Sequence, residues 1–164
     1  MITRRIPPEP GQESVWDYPR PPRLERTHRR LQVVFNGELI ADSIRGWRVL
    51  ETSHPPTYYL PPEDILFAFL RKAGGGSACE WKGKAIYWDV VRESRVAEKA
   101  AWSYPDPTPA FAAIRDHLAF YPARMDECRV DGEVVRPQGG GFYGGWITAD
   151  LAGPFKGEPG SWGW

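Results

Sequence analysis

Leu31-Gln32-Val33-Val34-Phe35-Asn36-Gly37-Glu38-Leu39-Ile40-Ala41 is the stretch that decides the fold class. Leu31, Val33 and Phe35 alternate with other side chains, the period of a strand with one buried face. Asn36-Gly37 then supplies the positive backbone angles that a two-residue turn requires, and the chain returns through Glu38 to Ala41. Asp131-Gly132 repeats the device between Val130 and Glu133-Val134-Val135. Between the two hairpins, Trp47, Val49 and Glu51 share one face of a further strand. Ile86, Trp88 and Val90 lie on one face of another and Ala85, Tyr87 and Val91 on the opposite face, so that strand is apolar on both sides and reads as central. The chain is predicted to be mainly β.

Pro61-Pro62-Glu63-Asp64 reads as the start of one short helix near 62–72, with Ile65/Phe69 and Leu66/Leu70 spaced by four and Gly74-Gly75-Gly76 as its stop. A helical turn is expected at Ala110–Ile114, followed by strands at Leu118–Tyr121 and Met125–Val130. Residues 1–30, rich in proline and arginine, read as an extended, solvated arm in which Trp16 and Tyr18 are the residues that would pack on something. Residues 31–137 form the β domain. In residues 138–164 fall nine of the seventeen glycines, together with Phe142, Tyr143, Trp146, Phe155, Trp162 and Trp164. So much aromatic area predicts an ordered extension that wraps the domain or docks on a second subunit as a homodimer contact.

The composition narrows the functional classes. The 164 residues suit one domain with a real core, and Lys+Arg equals Asp+Glu at 21 each, which argues against nucleic acid or an anionic membrane as partner. No apolar run could cross a bilayer and the N-terminus lacks a signal-like stretch, so the expected location is cytoplasmic. Eight tryptophans against two cysteines and two methionines make the interior one of flat, rigid rings. Cys79 and Cys128 form no CxxC pair and His28, His54 and His117 are scattered, so no metal and no cofactor is expected. No GxxxxGK[ST], HExxH or GxSxG occurs, and the Gly139–Gly145 cluster does not separate a predicted strand from a helix.

One pattern appears twice: Trp81-Lys82-Gly83 with Trp88, and Phe155-Lys156-Gly157 with Trp162. Each copy sets an ammonium beside aromatic faces, a grouping suited to an anionic or planar ligand. Tyr58-Tyr59-Leu60-Pro61-Pro62 and Trp102-Ser103-Tyr104-Pro105 add rings held by proline turns. The leading reading is therefore a small-molecule site, an aromatic cleft formed by Tyr59, Trp81, Trp88, Trp102 and Tyr104 with Glu51, Asp64 and Lys82 as its polar groups. Glu51 and Lys82 are expected to meet at its centre. One alternative is an enzyme that uses Cys79, its pKa lowered by a nearby ammonium, as nucleophile, or Lys82 as acid/base. Another is a homo-oligomeric assembly module.

Taken in order, the motifs from Leu31 to Val135 resemble a known family. They are Asn36-Gly37-Glu38, Ile40-Ala41-Asp42-Ser43, Glu51-Thr52, Tyr58-Tyr59-Leu60-Pro61-Pro62-Glu63-Asp64, the run from Cys79 to Trp88, Trp102-Ser103-Tyr104-Pro105-Asp106-Pro107 and Ala119-Phe120-Tyr121-Pro122. The resemblance is to the bacterial family known as domain of unknown function 427, and the Gly140–Thr148 and Gly153–Gly157 blocks are similar to an extension in one of its branches. It implies a tent-like, Mss4-like fold of two sheets meeting at an angle around a cleft. Other tent-like folds hold zinc between two CxxC knuckles; those cysteines are absent here, so neither the zinc nor a reductase activity carries over. A nucleotidyltransferase label is attached to the family, yet no G-[GS] followed by D-x-[DE] is present to hold two metal ions.

Overall fold

The computed structural model describes residues 5–79, 82–161 and 163–164, and of residues 75–79 the backbone alone. The chain is mainly β. Leu31–Phe35 and Glu38–Ser43 pair antiparallel about the Asn36-Gly37 turn, whose φ values are 49° and 77°. Glu127–Val130 lies on the other side of Leu31–Phe35 and turns at Asp131-Gly132 into Glu133–Val134, completing a four-stranded sheet. A second antiparallel sheet runs in the order Leu118–Phe120, Arg95–Ser103, Gly83–Arg92, Leu70–Cys79, with Gly83–Arg92 an inner strand. Arg23–Arg26, Trp47–Leu50 and Thr57–Tyr59 make a three-stranded sheet, and two short pairs join Glu13–Ser14 to Leu151–Ala152 and Arg136–Pro137 to Trp146–Ile147.

The main core lies between the two larger sheets. Leu31, Val33, Phe35 and Ile40 from one meet Val90, Ala101, Leu118 and Phe120 from the other, with Tyr58, Leu60 and Trp146 alongside. A second cluster, which backs the cleft described below, contains Val49, Tyr59, Ala85, Trp102, Tyr104, Phe111 and Ile114.

The short helix expected near 62–72 is replaced by two single 3-10 turns, Pro62–Asp64 and Phe67–Phe69, and then by strand. Backbone pairing overrides the four-residue spacing: the Leu66 amide donates to the Ile40 carbonyl (2.8 Å) and Ile65 bridges Ala41, so this segment adds to a sheet edge where a helix would leave those groups unpaired. Gly74-Gly75-Gly76, read as a helix stop, lies inside the strand Leu70–Cys79 at an irregularity in its register.

The solvated reading of the N-terminal arm is corrected at residues 13–18. Val15 is fully buried and Tyr18 nearly so, in a third cluster with Leu50, Ile147, Leu151 and Phe155. The Trp16 indole donates to the Pro154 carbonyl (2.8 Å) and its ring meets Trp164 edge-on at 5.1 Å. Arg48 locks the segment to the three-stranded sheet through Glu13 (3.0 Å) and Glu25 (2.6 Å). The first and last segments thus pack on each other, which is how proline-rich chain with few apolar residues finds enough area to bury.

Candidate functional site

Strand alternation sends Tyr58 and Tyr59 to opposite faces. Tyr58 enters the main core against Trp146, whereas Tyr59 joins the second cluster, where its hydroxyl accepts from the Trp102 indole (3.2 Å). Trp102 stands opposite Tyr87 across the sheet and packs on Tyr121 with ring centroids 4.5 Å apart. Together with Tyr104, Val49 and Ala85 these rings wall a cavity of about 590 Å³, a size typical of small-molecule sites.

The C-terminal segment also lines the cavity, with Gln138, Phe142, Tyr143, Gly144, Lys156 and Trp164. Gly144 lies against the Trp102 ring so closely that a Cβ there would come within 2.2 Å of it. The wall is stitched in place by Gln138, whose amide nitrogen donates to the Lys156 carbonyl (2.7 Å) and whose amide oxygen accepts from Gly145 N–H (3.1 Å). Phe142 is 73% exposed at the rim.

Four of the cavity's polar groups gather around one turn. After strand Trp47–Leu50 the chain turns through Ser53 (φ 71°), and the turn is clamped from both sides: Ser53 N–H donates to Val15 and the Ser53 carbonyl accepts from Lys156 N–H (2.7 Å). This brings Glu51 and His54 together with Arg20 and Lys156. Arg20 Nε lies 3.4 Å from Glu51 and its Nη2 donates to the Thr52 carbonyl (2.9 Å). His54 Nδ1 is 2.9 Å from the same carbonyl, so it carries the proton and Nε2 is the ring nitrogen left as an acceptor. Tyr143 meets the imidazole edge-on at 5.5 Å. Lys156, 6% exposed, donates from Nζ to the Ser161 carbonyl (2.7 Å).

Burial chiefly lowers the His54 pKa, with Arg20 and Lys156 adding to the effect against the Thr52 carbonyl and Glu51. Because the folded pKa falls below the ordinary value near 6.5, the unfolded chain takes the proton first as the pH drops. The contribution of neutral His54 to stability is therefore complete above about pH 6.5 and declines below it. Between pH 7 and 5 the melting temperature should fall, and His54→Gln should flatten that slope; parallel slopes in both proteins would contradict it.

Of the residues singled out from the sequence, Glu51, Tyr59, Lys82, Trp102 and Tyr104 line this one cavity. Asp64 does not: its carboxylate is held by Arg45 (2.6 Å) and Ser43 (2.7 Å), which keep it below the usual carboxylate range. Trp88 belongs to the other face of its strand, with its indole on Ser103 Oγ (3.0 Å) and its ring against Phe67; alternation already separates it from Tyr87. Trp81 and the Cys79 side chain lie outside the described residues. The expected Glu51–Lys82 contact is replaced by Glu51–Arg20, because the arm read as solvated delivers an arginine first. With side chains 40% and 21% exposed, that pair is partly hydrated, and Glu51→Gln should cost within about 1 kcal/mol in urea unfolding. A loss of 3 kcal/mol or more would mean a far drier pair.

Sequence reasoning missed Arg20, His54, Gln138 and Tyr143 as neighbours of the site. The repeated aromatic-Lys-Gly pattern did point to Lys156. Its two glycines adopt similar left-handed angles, φ 111° at Gly83 and 103° at Gly157, and the lysine before each lines the same cavity.

These features define a mainly β domain with an aromatic cleft that also carries several charged and polar side chains. A family model described as Domain of unknown function (DUF427) matches residues 23–131, and the chain belongs to this family. No curated protein matches the chain. Among the described residues no helix is long and apolar enough to cross a membrane.

Proposed function

We propose that this protein binds a small, planar, polar molecule in the cleft between the aromatic face of its β domain and its C-terminal segment, and that the two four-stranded sheets form a tent-like fold. The observation that carries the binding reading is the convergence on one cavity of five rings, Tyr59, Tyr87, Trp102, Tyr104 and Tyr121, with Arg20, Glu51, His54, Lys82 and Lys156. Aromatic walls give a planar body large contact area and exclude water, so the few polar groups fix its orientation. Exposed, scattered aromatics would give no such volume.

A thermal-shift screen of the full chain against a metabolite library tests this. Planar polar compounds should raise the melting temperature, and Trp102→Leu, which keeps apolar volume but removes the ring, should abolish the shift. No stabilising compound, or shifts that survive Trp102→Leu, would overturn the reading.

A further inference from the structure

The polar groups of the cleft come from both sides of the family-model boundary: Glu51, His54 and Lys82 lie inside the matched segment, Arg20, Gln138 and Lys156 outside it. Tyr59, Tyr87, Trp102, Tyr104 and Tyr121 lie within residues 23–131; Arg20, Gln138, Tyr143 and Lys156 lie outside it. The aromatic body of the site thus comes from the family domain, and the flanking segments add charge to it.

That charge has a sign. The cavity wall carries Arg20, Lys82 and Lys156 against Glu51, and Glu51 is engaged by Arg20 at 3.4 Å. Among the described residues neither lysine makes an ion pair. Lys156 is the more telling of the two. It is buried, its backbone is fixed by Ser53 and Gln138, and among the described residues its ammonium, with three N–H groups, has one protein acceptor, the Ser161 carbonyl. Burying an ammonium that is not paired is costly, and an anion arriving beside it would gain more than it could at the surface, where water screens the charge. Beside it, His54 Nε2 offers an acceptor.

We propose that the ligand is a planar organic acid bound as its anion, a ring-bearing carboxylate whose ring lies on Trp102 and its neighbours, and that Lys156 is the residue that selects the charge. This rests on the small-molecule reading above and adds to it the ligand's charge and the source of that selectivity. The His54 acceptor further favours acids that also carry an N–H or O–H donor.

Two probes of equal size and shape, 2-naphthoate and 2-naphthamide, separate the claims in calorimetric titrations of the full chain at pH 7.5. The naphthoate should bind at least tenfold more tightly, and added sodium chloride should weaken it while leaving the amide unchanged. Lys156→Met should bring the naphthoate to the amide's level. Should that variant fail to fold, the salt dependence of the unmodified chain decides. Equal affinities, a salt-insensitive preference, or a preference that survives Lys156→Met would overturn the charge assignment and leave the cleft as a site for neutral ligands. If neither probe binds at millimolar concentration, the small-molecule reading itself fails.

Discussion

Replacing Trp146 by alanine should cost about 3–5 kcal/mol, the range for deleting a large buried ring. Trp146 is fully buried in the main core, packs on Tyr58 with centroids 5.2 Å apart, and donates its indole N–H to the Phe120 carbonyl (3.1 Å). Its backbone N–H is bound to the Pro56 carbonyl (2.8 Å). A residue in the glycine-rich terminal segment is therefore as deep as any in the hairpin sheet. Trp146→Phe, which retains a ring but loses the hydrogen bond, should cost less. Urea unfolding followed by circular dichroism measures both; a Trp146→Ala variant within about 1 kcal/mol of the parent would show the segment to be an appendage.

Gly157→Ala should be nearly as damaging, on the order of 3 kcal/mol, for two reasons that add. At φ 103° an L side chain is strained, and a Cβ would lie 2.2 Å from the Gly139 carbonyl oxygen, a backbone atom that cannot swing aside. Relieving that clash moves Gly139 or Gly157, and with them Gln138 and Lys156, so the cleft wall would shift as well. Gly160→Ala is the control, since φ there is also positive (85°) but no atom lies within 4 Å of the added methyl. Equal effects at the two positions would leave backbone strain as the whole cause and remove the close approach from the account.

Local chemistry made part of this fold legible. Asn36-Gly37 and Asp131-Gly132 admit the left-handed angles of their turns, and the strands on either side follow from period-2 alternation. Gly83–Arg92 could be read as central because both its faces are apolar. The helix near 62–72 misled because a spacing of four records only intrachain geometry, whereas Ile65 and Leu66 are paired by the distant residues Ala41 and Ile40. Strand Arg95–Ser103 escaped notice because Glu98-Lys99-Ala100-Ala101 has little β propensity. It is bent at Lys99 (φ 48°), whose N–H is capped by the Asp89 carboxylate (2.9 Å), and inner-sheet pairing compensates.

The candidate site divides the same way. Rings next to prolines, Tyr59 and Trp102-Ser103-Tyr104, were visible as a cluster, and so was the twice-used lysine. The meeting of the polar groups was not, because Arg20, His54 and Lys156 come together only when the arm, the Ser53 turn and the terminal segment pack together. Contacts spanning more than a hundred residues leave no periodicity to read.

The eight tryptophans offer a direct test of the central claim, that the cleft between the aromatic face and the terminal segment is where a ligand sits. Indole N–H resonances of the ¹⁵N-labelled chain, assigned by single Trp→Phe substitutions and titrated with 2-naphthoate, report on each ring separately. The account predicts that the Trp102 indole, bonded to Tyr59 at the cleft wall, shifts with saturation, while those of Trp146 on Phe120 and Trp88 on Ser103 stay in place. Movement of Trp88 or Trp146 with Trp102 unmoved, or no movement of any indole, would contradict it.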